Sequence, residues 1–217
     1  MTRVICDMSM SLDGYVTGPN DSRENPFGDG AEMLHDWIFD AATDEDRAVL
    51  QDTLDNVGAI VMGRTSFDKN EGDGGWGDSG PLGDIPCFVV THRLPTRTYP
   101  SIYTFVTDAV ATAIEQAKQT AGDKVVSLHG ATVMQQALPL GLVDEIRVHV
   151  IPVLLGGGTP LFAALDSTIS LERTQVVATP AATHLGFRVV QQQAEHERRQ
   201  AKPGSDRTTS RRRMRVE

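Results

Sequence analysis

The sequence predicts an α/β fold: a central mixed, mostly parallel sheet finished by antiparallel strands, with helices on both faces. Three observations carry that expectation. Apolar strand-like runs alternate with helical stretches over the first two thirds of the chain. From Val143 onward the pattern turns entirely to strands. Between them, Val125 to Phe162 (VVSLHGATVMQQALPLGLVDEIRVHVIPVLLGGGTPLF) reads as strand, tight glycine turn, helix, strand and glycine-rich loop without a gap.

In chain order, Arg3 to Met10 is the first strand. SLDGYVTGPN follows as a loop rich in turn residues, at a strand end where α/β proteins hold ligands. Ala31 to Ala41 is expected to be a helix with Leu34, Trp37 and Ile38 on one side. Thr43 caps a second helix that runs through Asn56, with Asp44, Glu45 and Asp46 in the first turn, where the helix dipole favours acids. GAIVMG, ending at Gly63, is a short buried strand, and Arg64-Thr65-Ser66-Phe67 begins a helical turn after it. Residues 70–86 are glycine-rich and irregular, anchored by Trp76. Cys87 to Thr91 and Thr104 to Val106 are strands, and Thr107 or Asp108 caps an alanine-rich helix to Ala121. Gly130 turns the chain from the strand at Val125 into a helix whose apolar residues Val133, Met134, Ala137 and Leu138 recur at helical spacing. DEIRVHVIPVLL, LERTQVVATP and HLGFRVVQQQ are the closing strands.

At 217 residues, 40% hydrophobic and 23% charged, the chain suits one globular domain over residues 1–193. Residues 194–217 are expected to form a disordered basic tail: from Glu195 on, eight residues are basic and four acidic. The body then holds twelve basic and twenty-five acidic residues, which argues against nucleic acid as a partner. No apolar run approaches a membrane span, and the N-terminus lacks a signal-peptide core, so a cytoplasmic location is expected. Cys6 and Cys87 sit in apolar runs as buried thiols. No His-Glu-x-x-His, paired cysteines or aspartate cluster with metal spacing occurs, and no metal is expected.

Gly130, Ala131 and Thr132 open a helix whose free amides and dipole favour an anion, although a plain packing turn would read the same way. Arg64 with Thr65 and Ser66 offers a guanidinium and two hydroxyls at another helix start, against the alternative of a surface ion pair. His149 alternates on a strand with Arg147 and Ile151 and reads as a packed or interface histidine.

SLDGYVTGPN, MGRTSF, FVVTHR, HGATVMQQAL and GLVDEIRVHVIPVLLGGGTPLF, in that order across residues 3–190, resemble the dihydrofolate-reductase-like proteins that include the riboflavin-biosynthesis reductase domain. The resemblance implies a three-layer dihydrofolate-reductase-like fold that binds NADPH, prefers it to NADH, and passes hydride to a small heterocyclic or carbonyl substrate. It also implies a homodimer. Gly63, Arg64, Thr65 and Ser66 would grip the 2′-phosphate end, with Thr91, His92 and Arg93 near the same adenosine; His129, Gly130, Ala131, Thr132 and Val133 would meet the pyrophosphate. Met8 and Gly14, in the loop after the first strand, would cover the nicotinamide, and Gly156 and Gly157 would let backbone approach the cofactor or substrate pocket, although a plain tight turn would also need them. Asp13 and Tyr15 are the catalytic candidates. Asp13 would handle a proton with a raised pKa, or else it is a turn-former before Gly14. His129 stands where the family commonly has glycine, so it is expected to point away from the cofactor. Two further readings stay open: the 5-amino-6-(5-phosphoribosylamino)uracil reductase of riboflavin biosynthesis, and a non-catalytic NADP-binding protein.

Overall fold

A computed structural model describes residues 2–39, 42–71, 75–162, 165 and 167–190. The expected basic tail, 194–217, lies outside the described residues. The strands are β1 (Val4–Ser11), β2 (Tyr15–Thr17), β3 (Val57–Gly63), β4 (Cys87–Val90), β5 (Tyr103–Val106), β6 (Val125–His129), β7 (Glu145–Ile151), β8 (Thr159–Pro160), β9 (Ser170–Ala178) and β10 (Thr183–Val190). The helices are α1 (Asp44–Asn56), α2 (Arg64–Asn70), α3 (Val110–Ala121) and α4 (Ala131–Ala137).

Eight strands form one sheet in the order β5-β4-β3-β6-β1-β7-β10-β9. From β5 to β7 all neighbours are parallel; β10 is antiparallel to β7, and β9 to β10. The parallel strands are buried on both faces, which is why β3 and β4 read as unbroken apolar runs. On one face, Val4, Cys6, Val126 and Leu128 pack with α3 and α4. On the other, Ile5, Ile60 and Met62 pack with Phe67 of α2, while Trp37 and Leu34 pack near α1. Cys6 and Cys87 are free and buried, and burial pushes the Cys87 thiol up to about 12.

Thr43 caps α1 as expected, in a capping box with Asp46. Three expectations are corrected. The Ala31–Ala41 helix is a 3-10 turn at Glu32–His35 followed by turns to Phe39, because Ala31 offers no side-chain cap; residues 40–41 lie outside the described residues. The loop after β1 contains β2, which pairs with β8. Ala109, not Thr107 or Asp108, is the N-cap of α3. β6 enters the sheet between β3 and β1, so the carboxyl ends of β1, β3, β4 and β6 meet at one edge, the place where open α/β sheets hold ligands.

Candidate active site

A cleft of about 880 Å3 opens over those strand ends. Its wall brings together Met8, Gly63, Arg64, Thr65, Ser66, Thr91, His92, His129, Gly130, Ala131, Thr132 and Val133. Asp13, Gly14, Tyr15, Arg93, Gly156 and Gly157 are not on that wall.

One end of the cleft is made by two helix starts. Gly63 precedes α2 and Gly130 precedes α4, and both helices leave first-turn amides without intrahelical partners. Gly130 lies at φ +98°, where side chains are strained, and a Cβ built there would come 3.5 Å from Cβ and 3.6 Å from Oγ of Ser66. The starts of α2 and α4 therefore face each other across a gap about one methyl wide. α2 is held by Phe67, fully buried and edge-on to Tyr99, Tyr103 and Phe105 at 5.0, 5.0 and 5.3 Å. Arg64 pairs with Asp68 one turn on, at 2.6 Å, with its side chain 34% exposed, so the guanidinium keeps donors for a ligand. Thr91 is buried, and its hydroxyl donates to the Arg93 carbonyl, 3.0 Å, in a turn that directs Arg93 away from the wall.

His129 does not point away. It lines the cleft with its ring edge-on to Trp76 at 5.3 Å, and desolvation, helped by His35, pulls its pKa down to about 4. At neutral pH it is an uncharged aromatic surface.

The glycine-rich loop and Asp13 have a different setting from the one expected. Asp13 is exposed and accepts from Ser11 Oγ (2.6 Å), the Leu155 amide (3.1 Å) and the Gly156 amide (2.7 Å). These bonds, that from Ser11 foremost, hold its carboxyl below the usual range, so the expected raised pKa is corrected. A Cβ at Gly158 would lie 1.9 Å from the Thr17 carbonyl, so the loop lets backbone approach β2. Tyr15 belongs to β2, opposite Pro160.

The opposite half of the cleft is where sequence reasoning missed the chemistry. Asp7, Ser9 and His149 point from β1 and β7 to the α1 side. His149 Nε2 meets Asp7 Oδ1, its Nδ1 meets His184 Nδ1, and His184 Nε2 meets Asp46 Oδ1, each at 2.7 Å. Thr53 donates to Asp7 Oδ2 (2.8 Å) and Thr179 to Asp46 Oδ1 (2.9 Å). Trp37 packs against both imidazoles, tilted to His149 at 4.3 Å and edge-on to His184 at 4.9 Å between ring centres, and donates from Nε1 to Ser9 Oγ at 2.8 Å. Burial alone would raise Asp7, but the hydrogen bond and charge of His149, with Thr53 and Arg147, outweigh it and hold the carboxyl low. Asp46 follows the same balance, its burial outweighed by Thr43, His184 and Thr179; desolvation lowers His184, with Asp46 opposing. Polar residues at alternate positions 7, 9 and 11 of an otherwise apolar strand were the available signal. Among the described residues no group of three or more His, Cys, Asp or Glu could hold a metal ion, and no helix is long and apolar enough to cross a membrane.

The family model described as RibD C-terminal domain matches residues 2–185. The uncharacterized protein YyaP of Bacillus subtilis (strain 168) is 29% identical, with 78% of this chain and 85% of that protein covered. A protein from Shewanella sp. PV-4 attributed to riboflavin biosynthesis has the same fold, with a TM-score of 0.64 at 23% identity, covering 88% of this chain and 100% of its own. A dihydrofolate reductase from Enterococcus faecalis complexed with NADP(H) superposes with a TM-score of 0.54 at 12% identity, covering 87% and 97%. The dihydrofolate-reductase-like three-layer architecture expected from the sequence is the one observed.

Proposed function

The chain belongs to the RibD C-terminal domain family, and on that premise we propose that it is an NADPH-dependent reductase that delivers hydride to a small heterocyclic or carbonyl substrate. The observation that carries the proposal is the cleft: two helix starts with an arginine and hydroxyls at one end, and a hydrogen-bonded aspartate–histidine pair beside an indole at the other.

The residues fit that cofactor. The Gly130–Ser66 gap is a backbone cradle that a Cβ would fill, and the first-turn amides beside it suit a pyrophosphate. Arg64, Thr65 and Ser66 supply the donors that a 2′-phosphate requires and a 2′-hydroxyl does not. Neutral His129 adds an uncharged wall. The reduced nicotinamide supplies the hydride when bound. The chain's own part is to hold the substrate under Trp37, exclude water, and supply a proton where charge develops. Asp13 and Tyr15 act in this reading by fixing the β1–β2 turn. Cytoplasmic location and a homodimer belong to the same proposal; a monomer mass by light scattering at micromolar concentration would remove the dimer.

The test is NADPH oxidation followed at 340 nm against a panel of carbonyls, quinones, pterins and pyrimidines. Turnover with any member supports the proposal. NADPH binding without turnover by the whole panel favours the non-catalytic reading. Reduction of the ribosylaminouracil phosphate would make the chain the riboflavin-pathway reductase, a narrower reading favoured by the family match.

A further inference from the structure

The Asp46–His184–His149–Asp7 chain spans two openings. Asp7 and His149 line the cleft, while His149 and His184 line a second recess of about 430 Å3 between α1 and β7, β9 and β10. Its links are three contacts of 2.7 Å, and each hydrogen bond needs one proton. Two neutral imidazoles carry only two. With neutral imidazoles and ionised carboxylates, one link would set two lone pairs against each other in a buried site. The contacts thus demand one proton beyond the neutral histidine pair.

We propose that Asp7, His149, His184 and Asp46 form a proton relay that stores this third proton and delivers it into the cleft at Asp7 during substrate reduction. The inference deepens the reductase reading and rests on it for the acceptor.

The carboxyls of Asp7 and Asp46, both held low, leave the stored proton on the imidazole pair, at the Nδ1–Nδ1 contact. His149 then donates from Nδ1 to His184 and from Nε2 to Asp7, while His184 donates from Nε2 to Asp46. As the substrate gains hydride from the reduced nicotinamide, the atom left negative takes a proton from the Asp7 carboxyl, which takes its own from His149 Nε2. The substrate is reduced by two electrons, the nicotinamide is oxidised, and His149 ends neutral. Neutral His149 keeps its Nδ1–H towards His184, so the proton that restores Nε2–H returns from solvent at the cleft through Asp7. Asp7 is the catalytic residue here, and the other three are positioning residues acting through it. The charged and titratable groups around the relay are Arg147 with Glu145 and Asp52, Glu45 at the recess, His35 near His149, and the buried thiol of Cys6 beside Asp7.

The test uses the full chain with 15N-labelled histidine. Ring-nitrogen NMR at pH 7, without nucleotide, is expected to show three ring protons shared by His149 and His184, one strongly deshielded. Two protons would overturn the relay. With NADPH and an acceptor that the panel returns, Asp7→Asn is expected to keep NADPH affinity within about threefold of wild type and lose roughly 10²-fold in single-turnover rate. His184→Gln, whose amide can donate to His149 Nδ1 so that a neutral His149 satisfies both of its contacts, is expected to leave His149 with one ring proton and to slow the first turnover. An unchanged single-turnover rate in Asp7→Asn or in His184→Gln would also overturn it. If wild type turns over nothing, the reductase reading fails and the ring-proton count alone decides whether the charge store exists.

Discussion

Replacing Asp46 by alanine removes one carboxylate that ties three parts of the fold together. Its Oδ2 accepts from the Thr43 amide (2.7 Å) and hydroxyl (2.8 Å) at the start of α1, and its Oδ1 accepts from Thr179 and His184 at the β9–β10 turn. Loss of the capping box costs about 1 kcal/mol. Leaving the buried His184 N–H unpartnered adds roughly 1–3 kcal/mol, while the Thr179 hydroxyl keeps the Ala182 carbonyl as an acceptor. The expected loss is therefore about 2–4 kcal/mol, a large share of the ~5–15 kcal/mol typical of a domain. Urea unfolding at pH 7 measures it as a fall in the midpoint at constant slope. Asp46→Asn keeps an acceptor oxygen and should lose less. The carboxyl is lowered in the fold, so its ionisation stabilises the protein above the unfolded pKa of about 3.9, and that gain is lost as pH falls through the folded value. Asp46→Asn should accordingly flatten the acid limb. A loss below about 1 kcal/mol for Asp46→Ala would refute this account of the node.

Phe67→Ala, which empties the aromatic cluster under α2, should cost about 3–5 kcal/mol in urea and weaken NADPH binding with it. Asp68→Asn frees Arg64 from its partner; NADPH affinity by fluorescence titration should rise about twofold to fivefold and NADH affinity stay unchanged, an exposed pair of this kind being worth about 1 kcal/mol or less. His129, lowered to about 4 by burial, stabilises the fold fully above about pH 6.5 and loses that contribution, at most about 3 kcal/mol, as pH falls towards 4. His129→Gln should make unfolding free energy less steep across that window; an unaltered slope would assign the acid sensitivity to other groups.

Much of the fold was legible because it is local. β1, β3, β4, β6 and β7 follow from apolar runs, and Thr43 with Asp46 three residues on spells out a capping box. The 3-10 turn at Glu32–His35 was missed because Leu34, Trp37 and Ile38 have helical spacing while cap strength does not show in periodicity. The end of the cleft made by the two helix starts was read from Gly63–Ser66 and His129–Val133, each a contiguous strand-to-helix turn. Its other end was not, because Asp7 and His149 lie 142 positions apart, and Asp46 and His184 lie 138 apart. Only the β1–β7 pairing and the placement of α1 bring them together. The raised pKa expected for Asp13 fails first on a local bond from Ser11, which suits a turn-former, and then on partners at 155 and 156 that arrive from a distant loop.

The central claim, that the cleft binds NADPH through the start of α2, is tested most directly by titrating NADPH and NADH against wild type and Arg64→Ala by nicotinamide fluorescence. Micromolar NADPH binding is expected, weaker for NADH, with the NADPH preference falling by roughly 1.5–3 kcal/mol, about tenfold to a hundredfold, when Arg64 is removed. Failure of wild type to bind either nucleotide, or equal affinity for both that Arg64→Ala leaves unchanged, would contradict it.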